Sequence, residues 1–86
     1  MKIAVIGGGS TYAPELIDGL IRNAEKIDLK EVVLMDTDAE RLKVVGTFCE
    51  RMVAHAGRKF ELKCTLDRTD AIKGADFIVT QIRVGK

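Results

Sequence analysis

Six consecutive residues, Gly7-Gly8-Gly9-Ser10-Thr11-Tyr12, stand between a short β-branched run and a segment with helical spacing. Glycines at such a junction let the backbone turn sharply and come close to an anion. The amides at a helix start, aided by the helix dipole, then donate to it. Gly7 and Gly9 fill the first two glycine positions of a G-x-G-x-x-G fingerprint, and Tyr12 stands at the third. That third glycine ordinarily permits close packing of helix on strand, so Tyr12 predicts a helix set slightly further off. Alone, the loop reads as a pyrophosphate cradle or as a glycine-rich turn with no ligand.

Asp36 favours the cradle. It follows Val32-Val33-Leu34-Met35, 29 residues after Gly7, where a dinucleotide fold sets a carboxylate against the adenosine ribose. An acid there accepts hydrogen bonds from the ribose hydroxyls and repels a 2′-phosphate. No Arg or Lys occupies positions 37–39 to receive that phosphate, so NAD is expected over NADP. The competing reading of Asp36 is a turn residue at a strand end. Asp38 is expected to cap a helix.

Positioning these residues requires alternating strands and helices. Lys2–Ile6 and Glu31–Asp36 are uninterrupted enough to be strands covered on both faces. Between them, Leu16, Ile17, Leu20, Ile21 and Ala24 repeat at helical spacing from Pro14 to about Lys26, with Pro14 tolerated in the first turn. A second helix from Asp38 carries the stripe Leu42, Val45, Phe48, Cys49, Met52, Val53 and Ala56, and stops at Gly57. Phe60–Thr65 predicts a third strand, Thr69–Lys73 a short helix closed by Gly74, and Asp76–Ile82 a fourth strand. The order β-α-β-α-β-α-β implies an α/β fold, a Rossmann-like doubly wound parallel sheet with right-handed crossovers. Four strands of such a sheet leave apolar faces uncovered, so residues 1–86 are expected to be the N-terminal part of a larger NAD-binding domain, with a catalytic domain beyond.

Composition bounds the partners. The chain of 86 residues has 47% hydrophobic and 31% charged residues and a net charge of +1, with acids and bases interleaved. Such a surface has no basic stripe for nucleic acid, and no apolar run approaches the roughly 20 residues needed to cross a bilayer. Lys2 precedes only four apolar residues before the glycines, which does not make a signal peptide, so a cytoplasmic location is expected. Cys49 and Cys64 fit no metal spacing and read as small buried hydrophobes. His55 reads as a helix-end residue favourable to the dipole.

The residues assembled so far resemble glycoside hydrolase family 4, most closely its 6-phospho-β-glucosidases. The likeness covers essentially the whole chain. Its most distinctive stretches are Ile6–Ser10, Tyr12–Leu16, Thr65–Arg68, Ala75–Phe77 and Gln81–Gly85. Ser10-Thr11 and Ile82–Lys86 are equally similar to the family's 6-phospho-α-glucosidases, whereas Thr65–Arg68 and Tyr12–Leu16 resemble the β-type.

The resemblance implies NAD and a divalent metal, usually manganese, acting on a phosphorylated disaccharide or glucoside. In that family, NAD takes hydride from C3 of the sugar, the ketone acidifies the C2 proton, and a base removes it. The aglycone is then eliminated, water adds and hydride returns, outside the usual two-carboxylate scheme. The metal polarises the C3 oxygen. By resemblance, Gly7, Gly8, Gly9, Ser10 and Thr11 map onto the pyrophosphate loop and Asp36 onto the ribose contact. Asp67 and Arg68 map near the adenine end of the cofactor, and Asp67 equally suits a cap of the helix that follows. Gln81 and Arg83 fall after the fourth strand, Arg83 facing a substrate or a cofactor phosphate, or holding the loop by a salt bridge. The family's metal ligands, a cysteine and a histidine, and its catalytic base match no residue here. Cys49 and His55 match neither ligand, so no catalytic or metal residue is assigned within this chain, and the manganese site falls beyond it. A homo-oligomer is expected of the full-length protein. The competing functions are the cofactor half of a 2-hydroxy-acid dehydrogenase and a non-catalytic NAD-sensing module.

Overall fold

The computed structural model of the chain describes residues 1–81. Its elements are β1 (Lys2–Ile6), α1 (Ala13–Asn23), β2 (Glu31–Met35), α2 (Ala39–His55), β3 (Glu61–Thr65), α3 (Arg68–Ile72) and β4 (Phe77–Thr80). All strand pairs are parallel, in the order β3-β2-β1-β4. Two crossovers therefore carry the chain outward from β1, and the third returns it to β1's other side. This is the Rossmann-like winding, and its reversal opens a crevice between the carboxyl ends of β1 and β4.

Strand alternation divides the core. Ile3 and Val5 pair in register with Val32 and Leu34 of β2. These four pack with Ala13 and Ile17 of α1 and with Leu42, Cys49 and Val53 of α2. Ala4, Val33 and Met35 point to the opposite face, where α3 contributes Ala71. Among the described residues the α1/α2 face buries twelve side chains and the α3 face four, so most of the stabilisation lies on the first. Each large side chain there, such as the fully buried Ile17 or Leu34, contributes about 1.5–3 kcal/mol of transfer free energy.

Several boundaries differ from the sequence-based expectation. α1 ends at Asn23, not Lys26, because Ala24 turns inward, accepts the Leu29 amide at 2.9 Å and is buried. Asp28, at a φ of 52°, completes that turn. Asp36 lies just past β2, while β4 is shorter than Asp76–Ile82. Asp76 precedes the strand, its amide donating to Lys2 O at 2.8 Å while its side chain accepts the Lys2 amide, and Ile82 lies outside the described residues.

The stripe on α2 is narrower than its apolar pattern. Leu42, Gly46, Cys49 and Val53 are buried, and Phe48 is 53% exposed. Gly46 explains the narrowing, since a Cβ there would stand 2.7 Å from Cys64 Sγ. The helix approaches β3 closely at Gly46, and Phe48 falls outside the buried line Leu42, Gly46, Cys49 and Val53. Cys64 also departs from expectation, because β3 is the sheet edge and the residue is exposed, unlike the buried Cys49.

Candidate cofactor-binding site

The glycine turn is tied to the sheet by its backbone. The amides of Gly7 and Gly8 both donate to the Met35 carbonyl, at 2.8 and 2.7 Å, and Ser10 N donates to Gly7 O at 3.0 Å. Each glycine is required for its own reason. Gly7 has a φ of +88°, and a Cβ there would collide with the Gln81 carbonyl. At Gly8 it would lie 2.7 Å from Leu34 Cβ and 3.0 Å from Leu34 Cα. At Gly9 it would lie 2.7 Å from Asp36 Oδ2. The loop thus has β4, β2 and the Asp36 carboxylate packed against it in turn.

Asp36 is 3% exposed. Its Oδ2 accepts the Gly9 amide at 2.9 Å and its Oδ1 the Asp38 amide at 3.0 Å. The strand-end acid is therefore bonded across the structure to the loop as well as to its own turn. Ser10 is also buried, and its hydroxyl accepts the Tyr12 amide at 3.1 Å. Tyr12 is the N-cap residue of α1 and 63% exposed. Its side chain faces solvent, and Ala13 fills the buried position beside it.

Thr11 is exposed and, with Gly9, lines a cleft of about 340 Å³ against the first turns of α2. Asp38, Glu40 and Arg41 line its other wall, and the sequence pattern alone gives Glu40 and Arg41 no role. Their signal was available only as positions in the first turn of a helix. Asp38 does cap that helix, accepting the Arg41 amide at 3.0 Å.

Gln81 follows β4, where its amide donates to Ile6 O at 2.8 Å. Its Oε1 is buried with no hydrogen-bond partner among the described residues. It stands beside Gly7, so loop, Asp36 and Gln81 gather at the carboxyl ends of β1, β2 and β4. Asp67 and Arg68 sit at the carboxyl end of β3, an edge strand, and both are exposed. Asp67 caps α3, its Oδ1 accepting from Thr69 N at 2.9 Å and Asp70 N at 3.4 Å. Arg83 lies outside the described residues.

Neither cysteine is poised as a nucleophile. Burial pushes the Cys49 thiol up to about 11, helped by the neighbouring Cys64. Burial of the Cys64 sulfur, then the Glu50 charge, raises Cys64 as well. Both are neutral thiols near pH 7, and it is the thiolate that reacts. Among the described residues no group of three or more His, Cys, Asp or Glu side chains is placed to hold a metal ion, and no helix is long and apolar enough to cross a membrane.

What the arrangement offers is a tight turn at a topological switch point, with an acid beside it. Comparison with known proteins agrees. A probable 6-phospho-β-glucosidase of Bacillus subtilis (strain 168) is 46% identical over 99% of this chain and 20% of its own length. A 6-phospho-α-glucosidase of Lacticaseibacillus paracasei is 36% identical over 99% of this chain and 19% of its own. Among solved structures, the 6-phospho-β-glucosidase of Thermotoga maritima with manganese, NAD+ and glucose-6-phosphate superposes with a TM-score of 0.89 at 38% identity. That match covers 99% of this chain and 20% of that one. The chain thus spans about a fifth of the length of the relatives it matches. Residues 2–86 match the model of the family 4 glycosyl hydrolases, and the chain belongs to that family.

Proposed function

We propose that this chain is the NAD-binding opening of a longer glycosidase that hydrolyses 6-phospho-β-glucosides. The observation that carries the reading is the three-glycine turn, in which every Cβ position is already filled by Gln81, Leu34 or Asp36. Such a turn brings bare backbone to the switch point, which is what a pyrophosphate requires. The residues fit the cofactor: Gly7–Thr11 on the pyrophosphate side, Asp36 on the ribose side, and Gln81 Oε1, buried and without a partner among the described residues, beside Gly7 at the crevice between β1 and β4. NAD, when bound, supplies a reversible hydride acceptor that no side chain here offers. The chain's own part is to bind and orient it. A divalent metal, manganese in the relatives' case, and the catalytic base belong to segments beyond residue 86 in this reading.

Preference for the β-anomer is supported by the higher identity to a β-type relative, 46% against 36% for the α-type. The α-type is the second reading, favoured by the strength of that same α-type match over nearly the whole chain. The full-length protein, given NAD and Mn2+, is expected to release nitrophenol from the β-anomer of nitrophenyl 6-phosphoglucoside faster than from the α-anomer. The reverse order selects the α-type. Gly9→Val is expected to abolish NAD binding measurable by calorimetry, since the branched side chain drives into the Asp36 carboxylate and deforms the loop. Unchanged affinity in a folded variant rejects the cofactor assignment.

A further inference from the structure

We propose that Asp36 is a positioning residue for the glycine loop, and that its contribution to cofactor binding is exerted chiefly through the Gly9 amide, not through the ribose hydroxyls. The inference rests on the NAD reading above and concerns how that site is held in shape. Three observations converge on it. The carboxylate is 3% exposed. Its Oδ2 accepts Gly9 N–H at 2.9 Å, across 27 residues of sequence. Its Oδ1 accepts Asp38 N–H at 3.0 Å, at the N-cap of α2.

One side chain therefore ties the loop to the start of α2. Charge-assisted bonds of this kind are the stronger class of protein hydrogen bond, and burial screens them little from each other. The contact is steric as well as polar, because the Gly9 Cα presses on the carboxylate so closely that a Cβ would stand 3.2 Å from Cγ. The Gly9 amide is thus committed to Asp36, and that bond fixes the direction in which the rest of the turn presents its backbone. A loop fixed before the ligand arrives loses less conformational entropy on binding. The loss on breaking the strut should fall on every ligand that uses the loop, whatever its sugar carries.

The test is a cycle between Asp36→Asn and the ribose hydroxyls, read by calorimetry on the full-length protein with ADP and 2′,3′-dideoxy-ADP. Asn keeps the shape but sets an NH2 group against one of the two backbone donors. The expected result is a weakening of about tenfold for ADP, one charge-assisted bond's worth, and the same factor within threefold for the dideoxy nucleotide. A penalty confined to ADP and absent for dideoxy-ADP overturns the proposal and makes Asp36 a ribose contact, while leaving NAD binding intact. If Asp36→Asn does not fold, the wild-type protein decides alone. Dideoxy-ADP within threefold of ADP supports the strut, and a larger loss overturns it. If the wild-type protein binds neither nucleotide nor NAD, the cofactor reading fails, and the strut proposal with it.

Discussion

Asp36 and Asp67 occupy equivalent places in the winding. Each follows a parallel strand at its carboxyl end and precedes a helix. Their environments differ completely. The Asp36 side chain is buried and bonds both to the glycine loop and to its own turn, whereas Asp67 is exposed and, among the described residues, its side chain accepts only from the amides of Thr69 and Asp70. Strand order is the cause. β2 lies beside β1, so the residue after it meets the glycine loop that leaves β1, while β3 is an edge strand beside β2 alone and the side chain after it turns onto its own helix. Identical side chains at identical topological positions are thereby given different work, one across the molecule and one local.

The comparison can be broken from the loop side first. Gly8→Val drives a branched Cβ against Leu34 Cβ and Cα and the Met35 amide, atoms fixed in or beside the backbone of an interior strand. It is expected to lower stability by about 3 kcal/mol, the upper part of the overpacking range, in denaturant unfolding. A variant as stable as the parent means that the loop is not pressed on β2. Next, Asp36→Ala should weaken NAD binding by roughly 1.5–3 kcal/mol, as for hydrogen bonds to a charged group, in a calorimetric titration. Preference over NADP should narrow as well, because a negative charge on the ribose side is gone.

Asp67→Ala sharpens the contrast. Losing this cap should cost about 1 kcal/mol of stability, while NAD affinity stays within threefold. Equal losses of affinity for the two aspartates in parallel titrations would end the distinction drawn here. A pH-dependent effect concerns Cys49, which packs in the α1/α2 core. Its folded-state pKa is raised from 9.0 to about 11, so above pH 9 the unfolded chain loses the proton first. Folding stability should therefore fall as pH rises through 9 toward 11, and Cys49→Ala should flatten that slope in pH-resolved melts. An unchanged slope places the thiol in a more polar setting than α2 provides.

Much of this was legible in the chain. The alternation of apolar runs with helical spacing determined seven elements in their observed order, because periods of 2 and 3.6 are local properties of a sequence. The glycine run between β1 and α1 and the acid after β2 marked the candidate cofactor site for the same reason, Asp38 was recognisable as a cap from its neighbours alone, and Asp67 was legible as a cap beside its alternative reading at the cofactor's adenine end. Only the tertiary structure decided which strand lies at an edge. That one fact exposes Cys64, leaves Asp67 local and brings Asp36 against Gly9. Gly46, unremarkable in sequence, set the narrow contact line that leaves Phe48 in solvent, since the closeness of a helix to a strand depends on both partners. Residue types fix what a side chain is able to do, and strand order fixes which distant group it meets.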